Sequence, residues 1–154
     1  MDKQSFRVIG KKMVGAYMMW ALLDNSNTVV TVEYNPAFEK LYPRNSLFPC
    51  IVKIDNHKRT ISIDWNGVYS SIFKKGEQYL FKVICLELDD NSYKKQLILA
   101  DKNGFRFILN NPSKEDCKSS NGQYIRCRVE DITDNDVILA STTGGNVENM
   151  SFKK

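Results

Sequence analysis

Apolar and polar side chains alternate with a period of two along most of this chain. The alternation breaks at clusters of Asp, Asn, Ser and Gly. The stretch from Gln78 to Pro112, QYLFKVICLELDDNSYKKQLILADKNGFRFILNNP, shows the pattern best. Three runs rich in Val, Ile, Leu and Phe are separated by Asp89-Asp90-Asn91-Ser92 and by Asp101-Lys102-Asn103-Gly104. β-Branched and aromatic residues suit a pleated, half-buried surface, and the separating residues suit turns. Three consecutive antiparallel strands are expected.

An earlier stretch repeats this one. Phe6-Arg7-Val8-Ile9 corresponds to Phe81-Lys82-Val83-Ile84 at an offset of 75, and Ala21–Asn25 to Ile98–Lys102 at 77. Tyr34-Asn35-Pro36 corresponds to Asn110-Asn111-Pro112 at 76, Phe48-x-Cys50-x-Val52 to Ile125-x-Cys127-x-Val129 at 77, and Ile61-x-Ile63 to Val137-x-Leu139 at 76. Matches in one order with a nearly constant offset point to a duplicated unit with small loop insertions. Each copy reads as five strands, at 4–13, 15–23, 28–34, 47–54 and 59–64, and then at 78–88, 94–100, 105–109, 123–131 and 136–141. Pro36 and Pro112 open segments suited to a single helical turn between the third and fourth strands, because Pro is tolerated at the first helical position. The expected organisation is a first repeat over 1–66, a connector over 67–77, a second repeat over 78–143 and a flexible tail over 144–154. Val68, Tyr69, Ile72 and Phe73 of the connector are candidates either for packing between the two repeats or for an exposed apolar patch that meets a partner.

Five strands with a short helix or loop between the third and fourth is the order of an OB-fold barrel, and closing the sheet removes exposed edges. The fold class expected is therefore all-β, with two tandem five-stranded OB-like barrels. Gly122-Gln123-Tyr124-Ile125-Arg126-Cys127-Arg128-Val129, followed by Asp134-Asn135-Asp136-Val137-Ile138-Leu139-Ala140-Ser141, resembles the last two strands of an S1-type OB domain. Cys50-Ile51-Val52-Lys53-Ile54-Asp55, followed by Lys58-Arg59-Thr60-Ile61-Ser62-Ile63-Asp64, is similar. The first strands depart from the family in lacking its Gly-x-Val, and the second repeat has no aromatic pair on its second strand.

Composition narrows the classes. The chain has 154 residues, 42% hydrophobic and 26% charged, which suits a folded core and argues against bulk disorder. No apolar run approaches the roughly 20 residues of a membrane span. Met1-Asp2-Lys3-Gln4 lacks the basic and apolar segments of a signal peptide, so export is not expected. Net charge is +4, made of +3 in residues 1–70 and +1 in residues 71–154. That balance permits a polyanionic partner without requiring one. Cys50, Cys85, Cys117 and Cys127 form no CxxC pair and the chain has one His, so zinc spacing is absent and no metal or other cofactor is expected. The cysteines lie largely in apolar-alternating runs, where free buried thiols in a reducing cytoplasm are expected, a disulfide framework being the alternative. No catalytic motif is present, and a non-enzymatic protein is expected.

Single-strand-binding barrels use strands two and three and the loops after strands one and four. Phosphates need Lys or Arg there, and unstacked bases need exposed aromatic faces. In the first repeat the first clamp loop is read with Lys11 and Lys12, the second with Lys58 and Arg59 beside His57, and Tyr17 is the stacking candidate between them. Trp20 aligns with Leu97 and reads as core. The second repeat carries Glu87, Asp89 and Asp90 in one clamp loop, and Glu130, Asp131, Asp134 and Asp136 in the other. Those carboxylates repel phosphate, so that copy reads as structural or protein-contacting. The Asp131–Asp136 run also has oxygen ligands at close spacing, but it lacks the Gly and Glu of a calcium loop and reads as a turn. Two functions are expected to compete: a module for single-stranded nucleic acid acting through the first repeat, and a protein-interaction adaptor.

Overall fold

The computed structural model describes residues 2–91 and 93–143. The tail expected over 144–154 lies outside the described residues. The chain divides into two compact units, Met1–Ser71 and Ile72–Lys154. The first holds β1 (Asp2–Val14), β2 (Tyr17–Leu23), β3 (Val29–Glu33), α1 (Phe38–Leu41), β4 (Leu47–Asp55), β5 (Lys58–Ile63) and α2 (Trp65–Ser70). The second holds β6 (Gln78–Leu88), β7 (Lys95–Ala100), β8 (Arg106–Leu109), α3 (Lys114–Cys117), β9 (Tyr124–Ile132) and β10 (Val137–Ser141). The sheets run β3-β2-β1-β4-β5 and β8-β7-β6-β9-β10. Both units therefore have the same strand order, and both are barrel-like.

One long strand organises each unit. The first half of β1 pairs with β4, from Asp2↔Val52 to Arg7↔Leu47, and its second half pairs with β2, from Arg7↔Leu23 to Val14↔Tyr17. The register shifts by a bulge between Val8 and Gly10. In β6 the shift falls between Val83 and Cys85, the equivalent place. A bulge bends and twists its strand, which lets one strand serve two directions and curl the sheet. The outer strands β3 and β5, and likewise β8 and β10, approach within 8 Å between Cα atoms.

The repeat extends to the turns. Val8 and Val83 each exchange two backbone hydrogen bonds with the segment before the fourth strand, Val8 with Asn45 and Ser46, Val83 with Gly122 and Gln123. Asn45 and Gly122 both have positive φ, 74° and 93°, a conformation that Gly and Asn tolerate best.

Alternation fills each core. Phe6, Val8, Trp20, Leu22, Phe48 and Cys50 point inward in the first unit, and Phe81, Val83, Leu97, Leu99, Phe107 and Cys127 in the second. Trp20 is core, as expected. Each large apolar side chain so buried contributes roughly 1.5–3 kcal/mol. Cys50 and Cys127 are unpaired, and burial pushes both thiols up to about 12, so they stay protonated at neutral pH.

The first residues of the connector are helical. The Asp64 carboxylate accepts from the Gly67 amide at 3.1 Å and caps α2, and Trp65 stacks on Tyr69 with ring centres 5.4 Å apart. Val68, Tyr69 and Phe73 are also not an exposed patch. Val68 and Tyr69 are buried on α2, and Phe73 is buried against Phe81 and Phe107 at 5.9 and 5.6 Å. An apolar stripe in a polar stretch reads equally as patch or as core until its partners are placed.

Candidate nucleic-acid interface

Lys11 and Lys12 lie within β1, opposite Trp20 and Met19, and the connection to β2 is the short turn Gly15-Ala16. Side chains alternate along a strand, so the two lysines point to opposite faces. Lys11 shares the inner face with Trp20 and reaches Glu39 of α1 at 3.4 Å. Glu39 also accepts a hydrogen bond from the Tyr34 hydroxyl. That hydroxyl, with the Lys11 ammonium, holds the Glu39 carboxylate below its ordinary range, and Glu39 in turn raises the Tyr34 pKa. Lys12 shares the outer face with Met19, Val14 and Tyr17. It has no ion-pair partner among the described residues. Tyr17 is 75% exposed, diagonally across the strand pair from Lys12.

The other predicted clamp behaves alike. Asn56 and His57 form the β4–β5 turn with φ of 49° and 63°, and Lys58 and Arg59 are the first residues of β5. Arg59 points inward. Its Nη1 donates to Asp24 Oδ2 at 2.7 Å, and its guanidinium lies 5.8 Å from the Phe6 ring centre. Asp24 is buried and also accepts from the Ser26 and Thr28 amides at 2.8 and 2.9 Å. The hydrogen bond from Arg59, followed by the Thr28 amide, holds its pKa below the ordinary value. Lys58 points outward beside Lys53 and Asp55, lining a shallow depression with Asn56 and Thr60. Of the four predicted phosphate contacts, Lys12 and Lys58 have no carboxylate partner among the described residues, while Lys11 and Arg59 are engaged with Glu39 and Asp24.

The two rims are separated along β2. Lys11 and α1 meet beside the middle of β2, at Trp20, and the Arg59–Asp24 pair closes the end where it finishes. Between them, about 13 Å apart along the strand, the outer face carries Met19, the buried Ala21 and Leu23 beside Glu33, Thr31 and Val29. Arg7 borders this face at Leu23, a cation that sequence reasoning passed over. Its place opposite Leu23 depends on the bulge after Val8, which no residue type announces. The β1–β2 ribbon tip is apolar on both faces, with Met13 55%, Val14 45% and Met18 37% exposed beside Tyr17.

In the second unit the acidic residues expected in the clamp loops are divided: Glu87 lies in β6, Glu130 and Asp131 lie in β9, and the turn proper runs from 133 to 136. Thr133 Oγ1 accepts from the amides of Asn135 and Asp136 there.

No family model matches the chain, and no curated protein matches it. Among solved structures, one described as "Molecular basis for abrogation of activation of pro-inflammatory cytokines" aligns at 11% identity over 91% of this chain and 88% of that one, with a TM-score of 0.28.

Proposed function

We propose that this protein is a non-enzymatic, cytoplasmic module that binds single-stranded nucleic acid on the outer face of its first unit. The observation that carries the reading is Tyr17, three-quarters exposed at the ribbon tip, with Lys12 on the same face and free of carboxylate partners among the described residues. An exposed aromatic face offers stacking to any base, and a neighbouring free cation neutralises phosphate. Lys58 supplies a second phosphate contact at the far rim. Lys11 and Arg59 hold the rims in place through Glu39 and Asp24 and add a weaker field.

Affinity for a short unstructured oligonucleotide is expected to fall steeply with salt. Tyr17→Ala is expected to weaken it by about 1–3 kcal/mol. Lys12→Gln should reduce the log–log salt slope by about 0.7. Titration by fluorescence anisotropy at several salt concentrations checks all three. Absence of binding at low salt would end the reading.

The ribbon tip itself favours a second reading. Met13, Val14, Met18 and Tyr17 together suit an apolar pocket of a partner protein. In that case Met13→Lys would abolish capture of the partner, and oligonucleotides would not compete.

A further inference from the structure

The side wall of the second unit carries cations and an exposed aromatic ring that the acidic clamp loops obscure in the sequence. Pairing across β8, β7, β6 and β9 sets Arg106, Ala100, Lys82 and Tyr124 in one row on the outer face. The neighbouring row holds Leu80 opposite Arg126. Tyr124 is 65% exposed and Leu80 53%. Lys82, Arg106 and Arg126 are exposed and have no ion-pair partner among the described residues, whereas nearby Arg128 is tied to Glu130 at 2.6 Å. Strands lie about 4.8 Å apart, so the first row spans roughly 14 Å between its outer Cα atoms. Of the carboxylates near this row, Asp101 beside Ala100 is buried and bonded by Asn103 and Phe105, Glu130 is tied to Arg128, and two others stand farther off. Asp131 is five residues beyond Arg126 on β9, and Glu87 five beyond Lys82 on β6, but a bulge in each strand takes up one residue, which leaves about 13 Å in each case. That exceeds the Debye length of about 10 Å at ordinary ionic strength.

We propose that this wall is a second contact surface for single-stranded nucleic acid, with Tyr124 stacking a base and Lys82, Arg106 and Arg126 neutralising phosphates. The proposal deepens the reading above and rests on it for the kind of partner. Charge selects a polyanion. The exposed ring among three free cations selects one that has flat faces to stack. The wall uses the first and fourth strands of its barrel as much as the second and third, so it escapes the acidic loops that bar the usual groove in this copy.

The test is photocrosslinking of a short unstructured oligonucleotide containing 5-iodouracil to the full chain, with the modified peptides mapped by mass spectrometry. Anisotropy titrations of Tyr124→Ala and of Lys82→Gln with Arg126→Gln accompany it. All three positions are exposed, and circular dichroism confirms that each variant is folded. Crosslinks at Tyr124 are expected, with about tenfold weaker binding by Tyr124→Ala. The double variant should lose about 1.4 from the salt slope, twice the single-strand increment of about 0.7. Crosslinks confined to Tyr17, with the second-unit variants binding as well as wild type, overturn this proposal and leave the first-unit site standing. Crosslinks confined to Tyr124 do the reverse. Absence of any binding at low salt overturns both. Competition by polyglutamate that is indifferent to Tyr124→Ala assigns the wall to an acidic protein and overturns the proposal.

Discussion

The same buried aspartate ends the second strand of both units, and each unit satisfies it differently. Asp24 and Asp101 both accept the amides of the residues two and four places on, Ser26 and Thr28 in one unit, Asn103 and Phe105 in the other. The backbone pairs Asp24 with Thr28 and Asp101 with Phe105 in matching turns, closed at Asn27 and Gly104 with φ of 59° and 100°. The remaining oxygen differs. Asp24 takes Arg59 from β5, while Asp101 takes the side chain of Asn103 from its own turn. The first unit thereby staples its β4–β5 hairpin to its β2–β3 turn, while among the described residues Asp101 is held within its own turn. The short helices show the converse. Glu39 of α1 is exposed and faces Lys11, whereas Asp116 of α3 is buried and accepts from the Ser113 amide, Ser141 and Thr143. A duplicated fold keeps the need for a carboxylate and lets the partner drift to whichever strand supplies a donor.

Breaking the second unit's own lock should give the largest effect. Asp116→Ala leaves the Ser113 amide and two hydroxyls short of their acceptor and is expected to cost about 3 kcal/mol. Both tryptophans, Trp20 and Trp65, sit in the first unit. Thermal unfolding followed by circular dichroism should therefore show the loss in the second unit, with the tryptophan transition unmoved. A tryptophan transition that shifts equally would show that the two units unfold together.

Gly67→Ala tests the capped helix that follows β5. Its new Cβ would stand 2.7 Å from Asp64 Oδ2 and 2.9 Å from Pro49 Cβ. The cap and the strand must shift, at a cost of about 1–3 kcal/mol, read as a lower midpoint in tryptophan fluorescence.

Arg59→Met should cost less, because Asp24 keeps its two amides. Its signature is in pH. Asp24 has a lowered folded-state pKa, so its contribution is present above the unfolded value and is lost as pH falls through the folded one. The wild-type first unit should therefore lose stability as pH drops below about 4. The variant should start lower at neutral pH and lose less on acidification. Parallel acid limbs would remove the staple from the account.

Lys11→Gln is expected to change least. Lys11 and Glu39 are about half exposed, so stability should hold, and Lys11 is matched by a carboxylate, so oligonucleotide affinity should fall less than with Lys12→Gln. Equal losses for the two lysines would mean that Glu39 leaves Lys11 in binding.

Much of the fold was legible because duplication wrote it twice. The offset between Val8 and Val83 marks two equivalent bulges, and the Trp20–Leu97 alignment marks two equivalent core positions. Helix α2 was not legible, since its Trp65, Val68 and Tyr69 sit in a polar stretch and its cap, Asp64, is also the last residue of an apolar run. Of the candidate site, Tyr17 was placed by its strand position, and it is exposed. The adjacent pairs Lys11-Lys12 and Lys58-Arg59 each read as one basic cluster, but alternation along a strand divides both.

Period-two alternation, turn chemistry and an internal repeat were sufficient by themselves to determine two five-stranded units and their cores, because burial of one sheet face is a local property of each strand. Which cations remain free was decided only by tertiary structure. An ion pair needs its partner within a few ångströms, and Arg59 finds Asp24 across 35 positions of sequence. The side wall of Lys82, Arg106, Tyr124 and Arg126 is likewise made by strand order and register, which bring residues of three separate strands onto one face.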